Sequence, residues 1–275
     1  MRLQLIIILL LAIGASVFLY TRPKVVIKDE QGANRDQATD QQAGVSVPEG
    51  EESHSPTLSE AGRTTLLKLK TQLATTSGET SIAILEEIAE LFVEGDIADS
   101  AAYYFEKVAD ISPTETNWLR AADAYFQAYN LALRSQNVSK FAEEAQQAYK
   151  KVLAQSPNNL HAMTNLGMTY VTSASPMQAI GMLRQVLEIN PDYEPALMNM
   201  GVLSLQSNQY DKAANRFRQV LRVNPGNHNA QLGLAYSLIE LKQTEEAKGL
   251  LNDLLNEDVE PGLKQEVEKT LQNLK

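Results

Sequence analysis

Cysteine is absent from this 275-residue sequence, which excludes disulfides, zinc fingers, thiol catalysis and cysteine-anchored lipidation. The absence does not choose a compartment, because a disulfide-free fold exists in any of them. Base is scarce relative to acid: 24 Lys and Arg face 34 Asp and Glu, a formal net charge of −10. A nucleic-acid binder normally carries a basic footprint, so this balance argues against one. Histidine occurs three times, as His54, His161 and His228, too far apart in sequence to imply convergence on a metal. Neither a His-Glu-x-x-His motif nor a glycine-rich phosphate loop is present. Acid pairs such as Glu86-Glu87, Glu143-Glu144 and Glu245-Glu246 fall in helical patterns. Neighbouring side chains on a helix diverge by about 100°, so these are solvated surface and not paired catalytic carboxylates. The reading is therefore of a chain with no catalytic residue, no cofactor-binding residue and no metal ligand, and not of an enzyme. The length suits one or two ordinary domains, or one elongated repeat domain.

Only the N-terminus carries a long apolar run. Leu3 to Tyr20 contains Gln4 as its one strongly polar residue, and as a helix it would be about 27 Å long, just short of a hydrocarbon core. A cleaved secretory signal and an uncleaved anchor compete for this segment. Its end, Val17-Phe18-Leu19-Tyr20, is bulky where a signal peptidase needs small side chains, which favours the anchor. Arg22, Lys24 and Lys28 follow the run, and a literal positive-inside count puts the remainder in the cytoplasm. A very short basic start before an apolar stretch is also how exported, anchored domains begin. Export to a periplasmic space is the preferred orientation and the cytoplasm the alternative.

Large apolar residues then all but vanish. Between Asp29 and Gly62 the chain holds eight acids and one base. Such a stretch cannot bury enough surface to offset its ordering entropy, so it is expected to be a disordered linker. About 25 residues of this kind would span roughly 25–30 Å and tether a domain without fixing its orientation.

Beyond Thr57 the sequence becomes periodic. Pro113, Pro157, Pro191 and Pro225 are spaced 44, 34 and 34 residues apart. Ala101, Ala145, Ala179, Ala213 and Ala247 repeat at 44, 34, 34 and 34. Four residues after each alanine stands a large side chain: Phe105, Tyr149, Leu183, Phe217 and Leu251. Three further on come Val108, Val152, Val186, Val220 and Leu254, and small residues recur upstream at Ala89, Gly167, Gly201 and Ala235. A fixed period with these offsets signals a helical repeat.

The pattern resembles the tetratricopeptide repeat (TPR) family, with its Trp-x2-Leu-Gly-x2-Tyr helix, later Ala-x3-Phe and closing proline. Residues 160–193 match well through Met163, Leu166-Gly167, Tyr170, Ala179, Leu183 and Pro191. Residues 194–227 supply Leu197, Met200-Gly201, Ala213, Phe217 and Pro225, with Ser204 in place of the aromatic. Residues 82–115 supply Leu85, Ile88-Ala89, Phe92, Ala101, Phe105 and Pro113. Residues 228–261 match less well, with Gln231 and Val259 where an apolar residue and a proline are expected. The resemblance covers about 180 of the 275 residues. It implies an all-α, right-handed α-solenoid of about five helix pairs with capping helices at both ends. The chain then divides into an anchor or signal (1–22), the acidic linker (23–56), an entering helix (57–81), the array (82–261) and a closing helix (262–275).

The second unit, 116–159, departs from the pattern. Its first helix fits best slid by one residue, as Trp118, Ala121-Ala122 and Tyr125, and the unit is ten residues longer than the others. Ten residues are about three helical turns, so the insertion predicts longer helices projecting from the array and not a loop. Proline closes each second helix because it lacks an N–H and its ring clashes with the preceding turn. No unit can bury its apolar face alone, so stacked neighbours supply one another's core.

The resemblance also implies a partner site on the concave face made by the first helix of each unit. Carried over residue by residue, that face would present His161, Thr164, Asn165, Met168, Val171 and Thr172, then Met198, Asn199, Val202 and Leu205, then Asn229, Leu232 and Tyr236. It is neutral and partly apolar, with about half of these positions expected to be open in the groove. Arg120 is the one candidate base, so a clamp for an acidic C-terminus is not expected. Amides beside soft methionines suit an extended peptide or an amphipathic helix. The expected function is a membrane-tethered adaptor for a protein partner, similar to single-span bacterial TPR proteins that assist envelope biogenesis. A self-associating spacer of a membrane complex is the alternative, and a hydrolase on a repeat scaffold a remote one.

Overall fold

The computed structural model of the protein describes residues 57–133, 137–172 and 176–274. The apolar stretch and the acidic linker lie outside the described residues. Among the described residues, none of the helices is long and apolar enough to cross a membrane.

The described chain is α-helical, with one short 3-10 turn at Gly78–Ser81 and no strand among the described residues. The helices are α1 (Glu60–Leu73), α2 (Ile82–Glu94), α3 (Ala98–Ile111), α4 (Glu115–Leu131), α5 (Val138–Gln155) and α6 (Leu160–Thr169). They continue with α7 (Pro176–Ile189), α8 (Glu194–Gln206), α9 (Tyr210–Val223), α10 (His228–Glu240), α11 (Thr244–Asn256) and α12 (Pro261–Asn273). From α2 to α11 they pair in order into five units, flanked by α1 and α12.

The seams between units fall where the prolines are. Ser112, Ser156 and Asn224 end their helices with φ near −130° and ψ between 80° and 88°. Each precedes a proline, whose ring drives the residue before it out of the helical region. The N–H of each still bonds back to the valine carbonyl of the same helix, at Val108, Val152 and Val220. The turn inside a unit ends the first helix differently. Asp96, Asn208 and Lys242 adopt positive φ (56°, 58° and 64°). The following N–H then reaches a carbonyl five residues back, Ile97 to Phe92, Gln209 to Ser204 and Gln243 to Leu238. This is a Schellman closure, which satisfies carbonyls that the helix end would leave unpaired.

The periodic residues form the interior. Ala145, Ala179, Ala213 and Ala247 are wholly buried, as are Tyr149, Leu183, Phe217 and Leu251 four residues on. Phe217 of α9 shows why glycine is needed beside it. A Cβ added at Gly201 of α8 would lie 2.7 Å from its ring, and one at Gly233 of α10 would lie 2.6 Å away. The ring is thus clamped between two helix backbones.

The second unit accommodates its extra residues by extending both helices, α4 to 17 residues and α5 to 18, against 13 and 14 for α8 and α9. The longer pair does not stand clear of the array. The Tyr129 hydroxyl donates to the Met168 carbonyl at 3.3 Å and lies 3.1 Å from Thr172 Oγ1. The extension therefore leans on the C-terminal end of α6. Successive first helices touch one another, α4 to α6, α6 to α8 and α8 to α10, whereas successive second helices do not to the same extent. The first helices therefore line the inner curve.

Candidate functional site

The inner face is built from α2, α4, α6, α8 and α10, and its chemistry changes along the array. At the N-terminal end, Arg120 of α4 donates to Glu86 at 2.8 Å and to Glu90 at 2.5 Å. Its guanidinium also lies 4.4 Å from the centre of the Phe105 ring. Two carboxylates and an aromatic face leave this base engaged within the protein.

Next along the curve, α4 and α6 enclose a recess of about 290 Å³ lined by Asp123, Phe126, Gln127, Asn130, Leu131, His161 and Asn165. One wall is a chain of hydrogen bonds. Asn165 Nδ2 donates to the Tyr149 hydroxyl at 3.0 Å, and that hydroxyl donates to Asp123 Oδ1 at 2.6 Å. His161 Nε2 meets the same carboxylate oxygen at 2.7 Å. Burial and the adjacent Asp123 charge push the Tyr149 hydroxyl well above its ordinary range, so it stays protonated and keeps donating. The hydrogen bond to Asp123 raises His161 above its ordinary value, against the lowering effect of partial burial. The opposite wall is apolar, formed by Phe126 and by Leu131, a large side chain left 46% exposed.

Of the residues anticipated for the groove, His161 and Thr172 are exposed, and Asn165, Met168, Val171, Met198, Asn199 and Asn229 are half-buried. Thr164, Val202, Leu205, Leu232 and Tyr236 are buried. These five fill contacts between helices instead of lining an open surface. Tyr236 also donates to Glu266 of α12 at 2.5 Å. Asn199 makes no side-chain hydrogen bond among the described residues. At the equivalent place one unit later stands Gly233, which Phe217 requires, so the row of amides at Asn165 and Asn199 stops at α10.

Sequence reasoning missed the α4 contribution. The fit through Trp118, Ala121-Ala122 and Tyr125 places Asp123, Phe126 and Gln127 at the positions of Met168, Val171 and Thr172, so the signal was present. Asn130 and Leu131 lie in the inserted turns and have no counterpart in a regular unit. Among the described residues, no group of three or more His, Cys, Asp or Glu side chains is arranged to hold a metal ion.

Comparison with known proteins agrees with this architecture. The tetratricopeptide repeat family model matches residues 142–197 and 204–264. No curated protein sequence matches the chain. Among solved structures, a tetratricopeptide repeat protein from Parabacteroides merdae is 16% identical, with a TM-score of 0.56 over 75% of this chain and 79% of that one. A thermophilic TPR protein of Thermus thermophilus is 17% identical, with a TM-score of 0.52 over 70% of this chain and 99% of that one. At these identities the structural likeness concerns the fold alone. The matched residues, together with helix pairs closed at regularly spaced prolines, identify a tetratricopeptide repeat array within this chain.

Proposed function

We propose that the protein is a membrane-tethered adaptor whose concave face holds an extended peptide or amphipathic helix of a partner protein. The observation that carries this reading is the inner face from α4 to α8. It combines an apolar wall at Phe126 and Leu131 with half-buried amides at Asn165 and Asn199, the latter without a side-chain hydrogen bond among the described residues. Buried amides without partners are costly, and half-buried ones are poised to bond a peptide backbone. Met168 and Met198 lie beside them and adapt to irregular side chains. With Arg120 held by Glu86 and Glu90, the face offers no free Lys or Arg for an acidic tail among the described residues.

The tether rests on the sequence of residues 3–20, and its role is to raise the local concentration of the array near membrane clients, so that weak contacts suffice. A place among complexes of the cell envelope follows from an exported orientation. Two experiments test the reading. Capture with the full-length chain should recover specific proteins, and Met168→Glu with Met198→Glu should abolish their recovery. Undiminished recovery would move the site off this face. A reporter fused after Lys275 should be active only on the exported side, and activity in the cytoplasm would reverse the orientation.

A further inference from the structure

The five units are not joined alike. Between units 1 and 2, Arg120 bridges to Glu86 and Glu90, and the Tyr125 hydroxyl donates to Glu106 at 2.6 Å. Between units 2 and 3, Glu115 at the start of α4 reaches the next interunit turn, accepting from Ser156 Oγ at 2.5 Å and Asn159 Nδ2 at 2.9 Å. The Asp123 contact to His161 crosses the same seam. Between units 4 and 5, Glu194 at the start of α8 repeats the device, accepting from Asn224 Nδ2 at 3.1 Å and Asn227 Nδ2 at 2.7 Å. Arg218 pairs with Glu246 at 2.9 Å across that seam as well.

The seam between units 3 and 4 has none of this. The first residue of α6 is Leu160 where α4 and α8 have glutamate, and the turn that a carboxylate would grip carries Asn190 and Tyr193. Asn190 Oδ1 only accepts the Asp192 N–H of its own turn, at 3.1 Å. Among the described residues, no side-chain hydrogen bond or ion pair links unit 3 to unit 4. The apolar contact is thin too. The buried residues here, Met163, Leu183, Val186, Ala196 and Met200, form a cluster of their own, separate from the cores on either side and flanked by the half-buried Ile180, Leu187, Tyr193 and Leu203. Between consecutive helices from α2 to α11, the α7–α8 contact is the sparsest among the described residues. Hydrophobic contact is non-directional, and methionine is the most adaptable apolar side chain, whereas hydrogen bonds fix an angle.

We propose that the array bends at this one seam, so that units 1–3 and units 4–5 with α12 move as two rigid bodies about the α7–α8 turn. The proposal goes beyond the partner site and does not depend on it. Its consequence for the inner face is specific. Asn165 and Met168 ride on one body and Met198 and Asn199 on the other, so the separation between the two amides varies with the bend. Loss of directional ties at a single interface, flanked by tied ones, is the condition for a hinge or shear joint.

The cysteine-free chain makes the test direct. Pairs of spin labels are placed on exposed second-helix positions of the full-length protein and their distance distributions measured. The pair Asp110→Cys with Gln185→Cys crosses only tied seams. The pairs Gln147→Cys with Asn215→Cys, and Gln185→Cys with Asn252→Cys, cross the untied one. The expected result is a narrow distribution for the first pair and distributions at least about twice as wide for the other two. Equal widths for all three, narrow or broad, would overturn the proposal.

Discussion

Gly201 and Gly233 carry the sharpest constraint on any single residue. A methyl group at either would sit under 3.0 Å from a Phe217 ring that is wholly buried and has nowhere to go. Gly167 is in a different situation, because its nearest contact would be Met182 Cβ at 3.3 Å. Alanine gains about 1 kcal/mol over glycine in a helix, which offsets a mild contact, while overpacking a tight core costs about 1–3 kcal/mol. Gly233→Ala and Gly201→Ala should therefore each destabilise the protein by up to about 2 kcal/mol net, and Gly167→Ala should be nearly neutral. Urea unfolding of the three variants checks the ranking. His161 supplies a second prediction. Its folded pKa lies above its ordinary 6.5 because of Asp123. The folded state thus binds the proton more tightly, and the contribution is complete below the unfolded pKa and fades as pH rises through the folded one. The stability difference between the native protein and His161→Gln should be larger below pH ~6 than above pH ~8. In an NMR titration of the ring, Asp123→Asn should bring the His161 pKa down, and an unmoved pKa would contradict the assigned cause.

Single positions also show what the sequence could and could not reveal. Ala145 and Tyr149, or Ala213 and Phe217, are read as core from spacing alone, because burial between stacked helices is what imposes the spacing. The groove is harder. Thr164 and Asn165 are adjacent in sequence, yet Thr164 is 1% exposed and Asn165 half-buried. One residue turns a side chain by about 100°, and whether it then meets a neighbouring helix or open space depends on the curvature of the stack. The glutamates at 115 and 194 carried no signal of their role either, since their partners lie a whole unit away.

For the helices, the closing turns explain why the units keep their register. Lys242 closes α10 in the left-handed region at φ 64°, with no glycine to relieve it. That conformation costs a non-glycine residue about 1–2 kcal/mol. Lys242→Gly should raise stability by about 1 kcal/mol or slightly less, after the entropy that glycine adds to the unfolded chain. A fall in the unfolding midpoint would show that the lysine stem supplies more than the strain removes. The glutamate ties between units belong to the same scale. Glu194→Ala removes an acceptor shared by Asn224 and Asn227 and should cost about 1 kcal/mol, since the group is only half-buried. The lengthening of both unit 2 helices was legible from the ten extra residues, but not their lean onto α6, which depends on Tyr129 reaching Met168 and Thr172.

At the scale of the whole molecule, each helix is covered by its neighbours in sequence, and the inner curve is lined by first helices alone. This arrangement leaves one continuous face facing inward, acidic and tied at α2, apolar and hydrogen-bonding at α4 and α6, and amide- and methionine-lined at α8. A partner segment lying along α4 to α8 would touch Phe126, Asn165 and Asn199 in turn, and would touch none of the second helices. A photo-reactive amino acid placed at Asn165 or Asn199, with controls at Gln147 and Asn215 on the outer layer, measures this most directly in the full-length protein. The account predicts covalent adducts with a discrete partner from the two inner positions and none from the outer ones. Adducts confined to the outer positions would contradict it.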